Sequence, residues 1–233
     1  MDVSVRDKLR ANLAAIEKRL AAACVRAGRQ RYEVTLLAVT KMVSAEVAAI
    51  LPELGILDLG ENRPQHLWAK VKKLPPEIRW HLIGHLQRNK IEQTLPLVHL
   101  VHSVDSVRLL EALETQARMD HRMLPVMLEV NASGEASKHG FAPKELLELA
   151  PTLRKLEWVQ VRGLMTMAAL QDPEACRPTF VLMRKLRERL RLGLEGVHAV
   201  EHLSMGMSND FEVAIEEGAT FIRLGTVLFA GVQ

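Results

Sequence analysis

Eight short apolar runs, at 34–39, 56–59, 79–83, 98–102, 124–130, 158–164, 199–203 and 220–224, recur along the 233-residue chain with helical periodicity between them. This alternation constrains the fold more than any other feature. A brief, continuous apolar run is what a strand buried on both faces requires. The segments between carry apolar residues at spacings of three and four, the stripe of an amphipathic helix. Val5, Leu9, Leu13, Ile16 and Leu20 mark one such helix ahead of the first run, reaching to about Gly28. Val107, Leu110, Leu113 and Ala117 mark another, and Pro143 opens a third with Leu146, Leu149 and Leu153. A fourth carries Leu182, Leu186 and Leu190, with Asp172 and Pro173 as N-cap and first residue and Gly193 as its stop. Strands alternating with helices favour a parallel sheet. Eight units in a chain near ~250 residues favour a closed TIM-type barrel over an open doubly wound sheet. The expected fold is α/β, a (β/α)8 barrel with an extra N-terminal helix. No linker or composition shift divides it, so residues 1–233 read as a single domain.

Composition narrows the class by exclusion. The net charge of +3 is small, and Arg184, Lys185, Arg187, Arg189 and Arg191 alternate with leucines at helical spacing. With no aromatic residues interleaved, that stretch reads as a solvated helix face, not a nucleic-acid site. Cys24 and Cys176 both lie in helical patterns without a C-x-x-C spacing, which excludes a disulfide framework or zinc knuckle. No apolar run reaches the length of a membrane span, and the first residues show no signal-peptide core. A cytoplasmic protein with no membrane partner is the expectation.

The segments that enter the strands are ordinary, and those that leave them hold the unusual residues. Lys41 ends the first run, and Glu61-Asn62 and Gly84-His85 follow the second and third. Met165-Thr166-Met167, Ser204 to Ser208 and Gly225-Thr226 follow the sixth, seventh and eighth. In a barrel all these ends converge on the rim where barrel enzymes place their sites.

A strand-end lysine is ordinarily a solvated charge. At a barrel mouth, partial desolvation frees the amine as a nucleophile, the requirement for a Schiff-base lysine. Gly206, Gly225 and Thr226, with Ser208, lie where many barrels hold a phosphate on backbone N–H groups. For Ser208 the competing assignment is N-cap of the helix through Val213, and the two roles can coexist. Arg223, inside an apolar run, needs a partner: a ligand, or a carboxylate such as Glu201 or Glu129. His81 and His85 straddle a strand and a glycine turn, with no metal-type spacing to a carboxylate or cysteine, so no metal site is expected. Glu61 and Asn62 suit capping or hydrogen bonding across the rim. The ten methionines read mostly as core filler, though Met165, Met167, Met205 and Met207 could line an apolar wall for a flat ring.

Eight ordered stretches resemble the pyridoxal phosphate homeostasis family, also called proline synthetase co-transcribed homologues. They are LLAVTK (36–41), GEN (60–62), WHLIGHLQRNK (80–90), VHSVDS (101–106), VNASGEASKHGF (130–141), RGLMTM (162–167), LSMGMSND (203–210) and EEGATFIRLGT (216–226). The resemblance covers nearly the whole chain. It departs after Asn62, where Arg63-Pro64 replaces the family's usual aromatic residue. What it implies is a barrel similar to the alanine racemase N-terminal domain, the fold type III of pyridoxal 5'-phosphate (PLP) proteins. Lys41 would carry PLP as a Schiff base. Ser208, Gly225 and Thr226 would hold the phosphate, and Arg223 would face the pyridine nitrogen. Asn62, His85 and Met205 would lie near the cofactor.

Racemisation on PLP requires a base on each face of the bound substrate. In the alanine racemases a tyrosine from a second domain supplies one of them. Here the sequence ends soon after the eighth run, and its only tyrosine, Tyr32, precedes the first. An arginine against the ring nitrogen also weakens the electron sink. The expectation is a monomeric binder that stores, delivers or buffers PLP, with PLP-dependent apo-enzymes as partners and no catalytic residues. The alternatives are a weak PLP racemase or lyase, and a barrel enzyme whose Lys41 forms a Schiff base with a phosphorylated substrate.

Overall fold

A computed structural model describes residues 4–135 and 139–232. Its sheet contains β1 (Thr35–Val39), β2 (Asp58–Glu61), β3 (Arg79–Leu82) and β4 (Leu100–Val104). It continues through β5 (Leu124–Glu129), β6 (Val159–Met165), β7 (His202–Ser204) and β8 (Phe221–Leu224). Each strand pairs in parallel with its sequence neighbours, and β8 returns to β1 through four register pairs from Thr35–Phe221 to Ala38–Leu224. The barrel is closed in the order β1 to β8. Closure leaves no sheet edge to pair with another chain.

The eight expected strands all form, with ends displaced by a few residues. Helix α1 (Val5–Arg26) forms where its stripe predicts, capped by the Ser4 hydroxyl, which accepts from Asp7 N–H at 3.1 Å. Its inner face buries Leu9, Ile16 and Leu20. Arg19 reaches Glu212 with both forks of its guanidinium, at 2.8 and 3.2 Å, and lies 4.6 Å from the centre of the Phe211 ring. The Asn12 amide donates to the carbonyls of Leu228 and Ala230, each at 2.9 Å. The N-terminal helix thus braces the segment after β8, which belongs to the functional rim.

One helix boundary differs from expectation. The long helix runs Arg177–Gly193 behind a short 3-10 turn at Glu174–Cys176, so Asp172 and Pro173 do not open it. The Asp172 carboxylate instead accepts from Glu174 N–H at 3.0 Å and initiates the 3-10 turn.

Strand residues alternate between two environments, as a period of two demands. Leu36 and Ala38, Leu59, Trp80 and Leu82, and Ile222 and Leu224 join the apolar core between sheet and helices. The alternate positions face the barrel interior. A TIM barrel ordinarily fills that interior with layers of branched apolar residues. Here Leu100, Met127 and Met165 form only a small apolar cluster with Phe221, and Asp58, His81, His102, Ser204 and Arg223 are buried beside it. A polar interior is costly unless every group is paired.

Candidate functional site

The same alternation builds the rim at the carboxyl ends of the strands. Leu37 and Val39 face inward, and Lys41 stands two residues further on, in the turn that leaves β1. Lys41 is exposed and has no hydrogen bond or ion pair to any described residue. Thr40 beneath it is fixed: its N–H donates to Gly60 O at 3.0 Å and its hydroxyl to Glu61 Oε1 at 2.9 Å. Lys70, from the helix Pro64–Val71, donates to Thr40 O at 2.6 Å and forms a buried ion pair with Glu61. Of two lysines meeting at this corner, Lys70 has its amine occupied and Lys41 has its amine free.

Asn62 follows β2, and its backbone and side chain lie so close to Gly84 that any Cβ there would overlap them. Glycine after β3 is therefore a packing requirement. His85 comes next: Nδ1 lies 2.8 Å from Asp105 Oδ2, and the ring stacks on His139 at 5.1 Å. Ligand atoms of His85, Asp105 and His139 lie within 4.8 Å of one another. Sequence spacing gave no sign of this group, because its members come from three separate strand ends.

Glu129 closes β5 in a buried position, and its carboxyl pKa is raised to about 7. Burial is the main cause and the nearby Asp105 carboxylate adds to it, while Arg223 and His85 oppose. Glu129 is thus poised between neutral and anionic at the rim. Any anionic ligand held there should bind less tightly as pH rises through about 7 and Glu129 gains its charge. The extra loss in the parent relative to Glu129→Gln is roughly fivefold for charges several ångströms apart. A titration of PLP affinity against pH checks this, and identical profiles for the two proteins would refute it.

Arg223 lies at the floor of the rim, buried, donating to Ser204 Oγ and to Thr166 O at 2.8 Å each. Neither expected carboxylate pairs with it. Glu201 is exposed and bonded to Arg162, while Glu129 acts only through space. Burial lowers the guanidinium pKa to about 10, so it stays charged at neutral pH.

Ser208 is not the N-cap of the helix Phe211–Glu216; Asp210 holds that place and accepts from Met207 N–H at 2.6 Å. The Ser208 hydroxyl accepts from Val227 N–H at 3.2 Å instead, joining the loops after β7 and β8. Among the described residues, the N–H groups of Ser208, Gly225 and Thr226 donate to no protein acceptor. Unpaired N–H groups on two joined loops are the donors that an anion cradle requires. Gly206 permits the sharp exit from β7: its φ is +93°, and a Cβ would lie 2.6 Å from Ala214 Cβ.

Met205 requires a correction. It is fully buried and packs in the core between sheet and helices, because it alternates with inward-facing Ser204. Its side chain therefore forms no wall at the rim. Met165 belongs to the interior cluster, and Met167 is partly exposed beyond β6. Tyr32 lies in the 3-10 turn before β1, exposed at the opposite end of the barrel.

Comparison with known proteins agrees with this fold. Residues 6–232 match the family described as alanine racemase, N-terminal domain. A pyridoxal phosphate homeostasis protein from Aquifex aeolicus is 42% identical over 219 residues, covering 93% of this chain and 95% of that protein. The chain belongs to this family. A second pyridoxal phosphate homeostasis protein, from Pseudomonas aeruginosa, is 40% identical over 94% of this chain and 93% of its own length. Among solved structures, PipY of Synechococcus elongatus with PLP bound superposes with a TM-score of 0.81 at 34% identity, covering 92% of this chain and all of PipY. An alanine racemase from Clostridium difficile, at 17% identity and TM-score 0.74, shares the fold over 96% of this chain and 55% of its own.

Proposed function

We propose that this protein binds PLP at the carboxyl rim of the barrel and serves PLP homeostasis by storing, delivering or buffering it. The observation that carries this reading is one rim that holds, among the described residues, an unpaired Lys41 amine, the buried Arg223 guanidinium and the unpaired N–H groups of Ser208, Gly225 and Thr226. The binding of PLP by PipY and the homeostasis names of the relatives support it. When bound, PLP supplies an aldehyde that condenses with an amine and releases water, and a ring that withdraws electrons from the product.

The protein's own residues have separable tasks. Lys41 provides the amine, and the Lys70–Glu61–Thr40 network fixes the backbone from which it projects. Ser208, Gly225 and Thr226 receive the phosphate through free N–H groups and the Thr226 hydroxyl. Arg223 offers a permanent N–H donor to the ring nitrogen, which keeps that nitrogen unprotonated. Asn62 and His85 border the ring from the ends of β2 and β3. A monomeric, cytoplasmic protein that hands PLP to apo-enzymes, with no catalytic residues of its own, is the form this reading takes. No described helix is long and apolar enough to cross a membrane.

The phosphate assignment has a direct test. A Cβ on Gly225 would stand 3.3 Å from Val39 O, so a bulky residue there intrudes on both the cradle and the approach to Lys41. Gly225→Val should weaken PLP binding far more than Thr226→Ala, which removes one neutral hydrogen bond of ~0.5–1.5 kcal/mol. The parent should prefer PLP to pyridoxal. Equal affinity for the two in a direct titration rules the phosphate site out.

A further inference from the structure

Arg223 is the last link of a buried hydrogen-bond chain that crosses the barrel. At the opposite rim Arg79 binds the Asp58 carboxylate with both forks, at 2.8 and 2.5 Å. Asp58 Oδ1 lies 3.0 Å from His81 Nε2, and His81 Nδ1 lies 2.9 Å from His102 Nε2. His102 Nδ1 then lies 2.8 Å from Ser204 Oγ, to which Arg223 donates at 2.8 Å. The two imidazoles, Ser204 and Arg223 are all buried.

The two ends leave the chain only one direction. Arginine is a donor without an acceptor, and an ionised carboxylate is an acceptor without a donor. Bonds from His81 and Arg79 hold Asp58 ionised, well below the usual carboxylate range, against its burial. Burial keeps both imidazoles neutral, with Arg79 and His99 around His81 and with Arg223, His202 and His99 around His102. Each therefore has one N–H and one lone pair. Asp58 takes the proton on His81 Nε2, so His81 Nδ1 must accept from His102 Nε2–H. His102 Nδ1 must then accept from the Ser204 hydroxyl, whose oxygen accepts from Arg223. No alternative assignment satisfies every member.

We propose that Asp58, His81, His102 and Ser204 form a one-way chain that positions the Arg223 guanidinium from within the barrel, so that the far rim sets its orientation toward the ring nitrogen of PLP. The ring-nitrogen part rests on the function proposed above; the direction of the chain does not. Asp58, His81, His102 and Ser204 are positioning residues, acting through Arg223 with no contact to the ligand. Asp58 is the informative position, because it lies at the rim remote from Lys41 and its amide counterpart can either donate to His81 or accept from it. Asp58→Asn therefore removes the rule that orders the chain.

The test reads imidazole and guanidinium nitrogens by NMR in the PLP-free protein, then PLP affinity and the visible band in the loaded protein. The parent should show His81 and His102 as neutral Nε2–H tautomers that do not titrate near neutral pH, and slowly exchanging Arg223 N–H protons. Asp58→Asn should give mixed tautomers and faster Arg223 exchange, with PLP binding roughly tenfold weaker while covalent attachment on Lys41 persists. Should that variant fold poorly, Ser204→Ala breaks the chain at its other end and should release Arg223 in the same way. Nδ1–H tautomers or charged imidazoles in the parent, or unchanged tautomers, exchange and affinity in a folded variant, would overturn the proposal. A parent that takes up no PLP at all refutes the function instead, and the nitrogen signals alone then decide the chain.

Discussion

Incubated with amino acids, the PLP-loaded protein is expected to racemise, transaminate or decarboxylate none of them faster than about a hundredth of the ~10 s⁻¹ enzyme median. Two features of the site set this limit. In the proposed binding mode the donor-only Arg223 guanidinium would meet the ring nitrogen, oppose its protonation and so weaken electron withdrawal from the bound carbon. The only tyrosine, Tyr32, stands exposed at the other end of the barrel and reaches no ligand at the rim. Each missing general acid or base typically costs 10²–10⁴-fold. Glu129 is the rim group whose pKa suits proton transfer, so any trace turnover should fall further in Glu129→Gln. Following chirality and product for each amino acid, beside reactivation of a PLP-free enzyme, separates the outcomes. Turnover at ordinary rates would establish an enzyme, and reactivation without turnover is the expected result.

Arg223→Met should leave the PLP-free protein as stable or more stable while weakening PLP binding tenfold or more. Among the described residues no carboxylate pairs with the buried guanidinium, and desolvation lowers its pKa to about 10 from 12.5. A group that is charged in both states at pH 7 but has a depressed folded-state pKa destabilises the fold there, in this case by ~3 kcal/mol. Hydrogen bonds to Ser204 and Thr166 are lost with it, and the smaller side chain leaves some space, so the net gain is smaller. A rise of about 2–4 °C in Tm per kcal/mol is the scale for a domain of this size. The opposite pairing, a large loss of stability with unchanged PLP affinity, would show that Arg223 is a structural residue. Functional groups that cost stability are a common compromise.

The barrel was legible because its signal is local and repeated. Apolar runs such as 34–39 and 124–130 are readable in one window, and closure follows from their number. The rim position of Lys41 and of the Gly225-Thr226 turn was legible for a related reason, since strand ends in a parallel barrel share one rim. Pairings between distant residues were not. His102 and Ser204 are 102 positions apart, and His85 meets Asp105 across 20, so nothing in either neighbourhood announces the contact. Nothing in the sequence around Lys70 announces that the fold brings Glu61 and Thr40 to its amine. Met205 shows a different failure: the loop position was right, but strand alternation sent its side chain to the core. For Ser208 the competing cap assignment fails because Asp210 takes the N-cap place, and the Ser208 hydroxyl holds the next loop instead.

Borohydride reduction of the PLP-loaded protein, followed by peptide mapping, decides whether Lys41 carries PLP covalently, as proposed. One pyridoxyl group per chain is expected, on Lys41, with Lys41→Ala losing both the label and the visible band. Lys70 should stay unlabelled because its amine is committed to Glu61 and Thr40. Label on Lys90 or on any lysine other than Lys41, or a Lys41→Ala protein that keeps its colour, would contradict it.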